Sequence, residues 1–127
     1  RLQGQVTSGA NALAQHATVA ALNEVEKTAA FQAMTREAYM ERRAILVEGL
    51  NALGLPTAMP HGAFYAMADL TSIDPDEGKA ALRLLEEAHV AVVPGTDFAA
   101  PGFARFSYAT STENVRTALD RIGKLLG

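Results

Sequence analysis

Apolar positions along the chain change their period several times, and each change marks an element. From Ala12 to Ala30, Leu13, Ala17, Ala20 or Ala21, Leu22, Val25 and Ala29 recur at intervals of three and four, which predicts an Ala-rich helix with a narrow apolar stripe. Asn11, Ser8 or Thr7 is placed to cap it. Thr35 is placed to cap a second helix carrying Tyr39, Arg42, Arg43, Leu46, Leu50 and Leu53, which ends at Gly54 before Leu55-Pro56. The period then shortens to two. After a short extended piece, Pro56 to Pro60, and a turn at His61-Gly62, Ala63 to Leu70 reads as a strand. Asp74-Pro-Asp-Glu-Gly78 is an acidic helix start, and Lys79 to Ala88 continues it with Leu82, Leu84, Leu85 and Ala88 apolar. Val90 to Val93 is a short apolar strand stopped by Pro94-Gly95. A loop closed by Pro101-Gly102 leads to an alternating strand from Phe103 to Ala109. Thr112 is placed to cap a last helix, in the capping signature Ser111-Thr-Glu-Asn-Val115, with Val115, Ala118, Leu119, Ile122 and Leu125 or Leu126 on its buried side.

With the extended piece from Pro56 counted as a strand, the order is helix, helix, strand, strand, helix, strand, strand, helix. It predicts a small α+β fold with a sheet of three or four strands covered on one face. At 127 residues with 49% hydrophobic content, the chain is long enough for one compact domain that buries roughly two thirds of its unfolded surface. Residues 1 to about 30 are the exception, since their stripe would fit against a larger body or a second copy as readily as against this sheet.

Charge narrows the partners. A net charge of −3 and a pI near 5.6 argue against nucleic acid, which selects clustered basic residues. No apolar run approaches the ~20 residues of a membrane span, and no charged segment followed by an apolar run marks a secretory leader. The absence of cysteine removes disulfides, thiolate zinc sites and thiol nucleophiles. A cytoplasmic location is the default expectation. The opening Arg1-Leu-Gln-Gly4 lacks an initiator Met, as in a chain that begins inside a longer protein.

Arg105 is the candidate that stands out. Alternation puts Phe103, Arg105, Ser107 and Ala109 on one face of the last strand and Ala104, Phe106 and Tyr108 on the other, so a guanidinium sits mid-strand among apolar residues. An unpaired buried charge is costly, and the guanidinium fork fits a carboxylate with two parallel hydrogen bonds. The partner is therefore either a carboxylate ligand or an internal Asp69, Asp97 or Glu113. Other polar groups have plainer readings. His16, His61 and His89 lack metal spacing, and His61 beside Gly62 reads as a turn residue. Asp74, Asp76 and Glu77 read as helix capping, and Arg42-Arg43 among Glu37, Glu41 and Glu48 as a solvated helix face. Gly95 and Gly102 bracket a loop without forming a phosphate-cradling turn into a helix. Lys27, Lys79 and Lys124 fall on helix surfaces, unlike the enclosed lysine of a Schiff base. The chain thus carries a ligand anchor without a catalyst.

Gly62-Ala-Phe-Tyr65, Val92-Val-Pro-Gly95 and Arg105-Phe-Ser-Tyr-Ala109, in this order and spacing, resemble the C-terminal part of class I pyridoxal-phosphate-dependent aminotransferases. Gln5-Val-Thr-Ser8 and Ala14-Gln-His-Ala17 resemble the segment shortly after the cofactor-binding lysine in the aspartate aminotransferase branch. The resemblance implies that residues 1–30 end the large domain and its subunit interface, and that 31–127 form the small domain. It matches Arg105 to the arginine that binds the substrate α-carboxylate, and implies a homodimer acting on amino acids and 2-oxo acids. It also places the cofactor lysine, the aspartate facing the pyridine nitrogen and the phosphate-binding groups upstream of Arg1, so that the chain by itself would be inactive. Gly9-Ala-Asn11 departs from the proline-containing turn of many relatives, and Ala99-Ala100 stands where relatives often carry a glycine after the PG-x-x-F loop. The alternative is a free-standing carboxylate-binding or oligomerisation module without catalysis.

Overall fold

The computed structural model describes residue 4 and residues 9–127. The capping positions Thr7 and Ser8 lie outside the described residues. The chain divides into two units between Glu37 and Ala38.

In the first unit, helix α1 spans Ala12–Asn23 and Asn11 caps it, its Oδ1 accepting from the Ala14 N–H at 3.1 Å. α1 buries none of its residues. Helix α2 runs from Val25 to Ala52 without the break expected near Thr35. The interruption falls at Glu24, whose N–H still reaches Ala20 O at 3.1 Å. The expected second start fails for a simple reason. Phe31 to Ala38 contains no Gly or Pro, and a single Thr lowers helix propensity by too little to stop a running helix.

The second unit contains the sheet. Strand β1 is Tyr65–Asp69, helix α3 Glu77–Glu87, strand β2 Val93–Pro94, a short 3₁₀ turn Gly95–Phe98, strand β3 Phe103–Ser107, and helix α4 Thr112–Leu126. The three strands lie in the order β1-β3-β2, all antiparallel, with Met67 and Val93 both opposite Arg105. The extended piece after Pro56 adds only an isolated bridge, Thr57 opposite Ala68. Ser111, one residue before the expected Thr112, caps α4 by accepting from the Asn114 N–H.

β2 is shorter than the expected Val90–Val93 strand. Helix α3 ends with His89 in the left-handed conformation (φ 55°), and the Val90 N–H bonds back to Leu84 O at 3.0 Å. The first residues of the run therefore close the helix, and pairing with β3 starts only at Val93. Pro94 lacks a ladder donor and is tolerated because β2 is an edge strand.

Alternation along β1 and β3 sorts their side chains onto two faces. Ala66, Ala68, Ala104 and Phe106 are buried against Leu46, Val47 and Leu50 of α2, Ala80 and Leu84 of α3, and Val115 and Ile122 of α4. The small alanines let the helices approach closely. At Gly49 a Cβ would collide with the Leu119 side chain, so the contact between α2 and α4 also depends on a missing side chain. The opposite face carries Tyr65, Met67, Arg105 and Ser107, all partly or fully exposed.

Candidate functional site

Arg105 lies at the centre of this open face. Its expected enclosure by apolar neighbours needs correction: the residue is half-buried, because the helices cover only the other face. Its Cζ sits 4.6 Å from the Phe98 ring centroid and 5.2 Å from that of Tyr65, so two aromatic rings hold the guanidinium. Each such contact contributes roughly 0.5–2 kcal/mol, and together they leave the donor edge of the fork available.

The internal partners considered for Arg105 are otherwise engaged or distant in role. Asp69 accepts from the Thr71 N–H at 2.8 Å and from its hydroxyl at 2.6 Å, and these bonds hold its carboxyl below the ordinary value. Asp97 is exposed in the 3₁₀ turn and Glu113 is exposed in the first turn of α4. Among the described residues the ion pairs are Lys27 with Glu24 and Arg83 with Glu87, and none involves Arg105.

Two residues that position Arg105 were not singled out from the sequence. Tyr65 closes the Gly62–Tyr65 motif and Phe98 the PG-x-x-F loop, but nothing in the spacing said that they would meet the same guanidinium across the sheet. The loop that brings Phe98 there is tightly folded. The Ala100 N–H bonds to Gly95 O at 2.9 Å, and Ala99 takes the left-handed conformation (φ 55°). A Cβ on Gly95 would meet the Ala100 carbonyl and lie 2.6 Å from the Phe103 carbonyl, so this glycine is required by close backbone approach.

The acidic cluster does more than cap. Asp76 does so as expected, accepting from Gly78 N–H at 2.9 Å and Lys79 N–H at 3.2 Å. Glu77 instead reaches across to the loop, accepting from the Thr96 hydroxyl through one oxygen and from the Gly102 N–H at 3.2 Å through the other. The Thr96 hydroxyl first, and the backbone donors after it, hold its carboxyl below the usual range. A carboxylate thus already occupies the Gly102 amide, which removes it from any phosphate cradle.

Arg42 and Arg43 also differ from expectation. Both are half-buried rather than solvated. Arg43 donates to Pro60 O at 2.8 Å, and Arg42 lies 5.7 Å from the Tyr39 ring centroid. Tyr39 in turn meets Tyr108 edge-on at 6.2 Å, and the Tyr108 hydroxyl donates to Ala63 O at 3.2 Å. Burial raises the Tyr108 phenol's pKa, with Arg43 opposing it. Through its bond to Pro60 O, Arg43 ties α2 to the segment before β1, while Arg42 stays against a ring of its own helix.

His16, His61 and His89 are all exposed, and no cluster of three or more metal-ligating side chains is found among the described residues. Lys27, Lys79 and Lys124 are exposed on the surfaces of α2, α3 and α4 respectively. None is enclosed by apolar side chains, so the lysines present do not fit a Schiff-base anchor for pyridoxal phosphate.

The domain is thus a small α+β fold that presents a ring-clamped arginine on the sheet face its own core helices leave open. Comparison with known proteins gives it a family. Residues 1–122 match the model for aminotransferase class I and II, and the chain belongs to that family. It is 55% identical over 126 residues to the aspartate/prephenate aminotransferase of Thermus thermophilus, covering 99% of this chain and 32% of the relative. Identity to the aspartate aminotransferase of Thermotoga maritima is 40%, over 99% of this chain and 31% of that protein. A solved aspartate aminotransferase from Thermus thermophilus with maleate superposes with a TM-score of 0.89 at 54% identity, over 98% of this chain and 32% of the other. The chain therefore spans about a third of the length of the curated relatives it matches.

Proposed function

We propose that this chain is the carboxylate-binding C-terminal part of an aspartate aminotransferase-like enzyme, in which Arg105 holds the α-carboxylate of the amino acid or 2-oxo acid substrate. The observation that carries the reading is the Arg105 guanidinium on an open face, fixed by Tyr65 and Phe98 and without an internal carboxylate. A charge-assisted contact of this kind is worth roughly 1.5–3 kcal/mol, enough to orient a bound acid. In the whole enzyme the cofactor is pyridoxal phosphate, held by residues outside this chain, and the isolated chain has no transaminase activity. Residues 1–30 belong to the large domain and subunit interface of a homodimer, and residues 31–127 to the small domain. The exposed Leu13, Val19, Leu22, Val25, Phe31 and Met34 support a surface that another part of the enzyme covers. The enzyme works in the cytoplasm, without nucleic acid or membrane as partner.

Melting the chain in rising aspartate or maleate tests the binding claim. Ligand at 100 times its Kd stabilises the folded state by about 2.7 kcal/mol, and Arg105→Ala is expected to remove the rise in Tm. An equal rise in the variant would remove Arg105 from the site. The intact mass of the natural protein separates the enzyme from a free-standing binding module. About three times the 13.4 kDa of this chain is expected, since the chain covers 32% of its relative, and 13.4 kDa alone would favour the module.

A further inference from the structure

Phe98 reaches Arg105 only because the loop from Gly95 to Gly102 is held in one shape. The loop closes on itself through Ala99 N–H to Thr96 O at 3.1 Å and Phe103 N–H to Ala100 O at 3.2 Å. Those bonds fix its internal fold, and they leave open how it is seated on the rest of the domain. The seat comes from two contacts at its ends. The Gly102 carbonyl accepts from the Leu70 N–H at 2.9 Å, and the Glu77 carboxylate accepts from Thr96 at one end and Gly102 at the other. Glu77 is 19 residues before Thr96 and 25 before Gly102, so this is a tertiary contact rather than a local turn.

A helix-start carboxylate has a simpler task available, which is to complement the helix dipole. Asp76 already provides the side-chain cap of α3, and the two Glu77 oxygens point to donors on the loop. Phe98 lies two residues beyond Thr96, on the stretch that Glu77 brackets. We infer that Glu77 is a positioning residue for the carboxylate site: by bridging Thr96 and Gly102 it seats the loop so that Phe98 lies over the Arg105 guanidinium and presents its fork. Glu77 does not touch the substrate. It acts through Phe98, and its loss frees Arg105 to sample rotamers that cannot bind an acid with both donors.

This inference rests on the reading of Arg105 as the carboxylate anchor, and two readouts keep the two apart. The first needs no ligand. In the 127-residue chain the Arg105 Nε–H resonance is expected to be displaced from its random-coil position by the Phe98 and Tyr65 rings. Glu77→Ala and Thr96→Val should each remove the part of the displacement that comes from Phe98 and leave the Tyr65 part, while Thr96→Ser, which keeps the hydroxyl, should preserve the whole. Thr96→Val leaves helix α3 untouched, so it remains decisive if Glu77→Ala fails to fold. The second readout is maleate titration of the same proteins. A five- to twentyfold weakening in Glu77→Ala and Thr96→Val, with affinity kept in Thr96→Ser, is the expected result. An Arg105 resonance unmoved in both Glu77→Ala and Thr96→Val would overturn the positioning role whatever maleate does. Normal resonances in the wild type with no maleate binding would instead overturn the anchor reading and leave the loop contact as architecture only, which also ends the proposal.

Discussion

The two faces of the sheet use the same strands for opposite ends. On one face Ala66, Ala68, Ala104 and Phe106 are no more than 5% exposed and meet the core helices. On the other, Tyr65, Met67, Arg105 and Ser107 remain open, and the polar and aromatic groups there contact one another rather than a covering layer. The difference teaches that a single-residue alternation separates the packed side chains from the open ones, among which the proposed carboxylate site lies. The covered face sets the fold through packing, and the open face keeps a cation available because nothing among the described residues of the domain neutralises it.

Substitutions can break that division or sharpen it. Leu84 of α3 is fully buried, and Leu84→Ala is expected to cost about 3 kcal/mol of unfolding free energy in a urea titration. On the open face Met67→Ala should cost well under that, since Met67 is only half-buried. Comparable losses at the two positions would mean that the faces are not energetically distinct. Ala99→Gly offers the next largest effect. A left-handed alanine costs roughly 1 kcal/mol relative to glycine, so this change should stabilise the chain by about that amount in the same titration. No gain would show that the φ of 55° at Ala99 carries little strain.

Acid gives the smallest expected effect. The Glu77 carboxyl is lowered by the Thr96 hydroxyl and the backbone donors of the loop, so its protonation is opposed by folding. The contribution is present in full above the ordinary glutamate value of about 4.5, and it is lost as pH falls through the lower folded value. Amide exchange at Gly102 should therefore accelerate in moderate acid beyond the intrinsic pH trend, and in Glu77→Gln that extra acceleration should disappear. Identical profiles in the two proteins would sever the carboxylate from the loop.

The periodic stretches were readable without a structure. Alternation gave the two faces of β3 correctly, including Arg105 opposite in sense to Phe106, and the apolar spacing of Val115, Ala118, Leu119 and Ile122 gave the packed side of α4. Element ends were less readable, because they depend on non-local bonds. Val90 belongs to the closure of α3 through Leu84 O, and residues 31–38 continue a helix for want of a breaker. Within the candidate site, Arg105 stood out in the sequence, because a charge within a strand demands an explanation. Its neighbours did not, since the Phe98 contact and the Glu77 bridge join segments across the fold, and no local pattern distinguishes a capping glutamate from one that reaches a loop.

The most direct test of the account is the affinity of the chain for L-aspartate in wild type, Arg105→Lys and Arg105→Ala, measured by calorimetry at low salt. Lys keeps the charge and loses the planar fork, so the account predicts binding that falls at least about tenfold in Arg105→Lys and is undetectable in Arg105→Ala. Equal affinities in wild type and Arg105→Ala would contradict it.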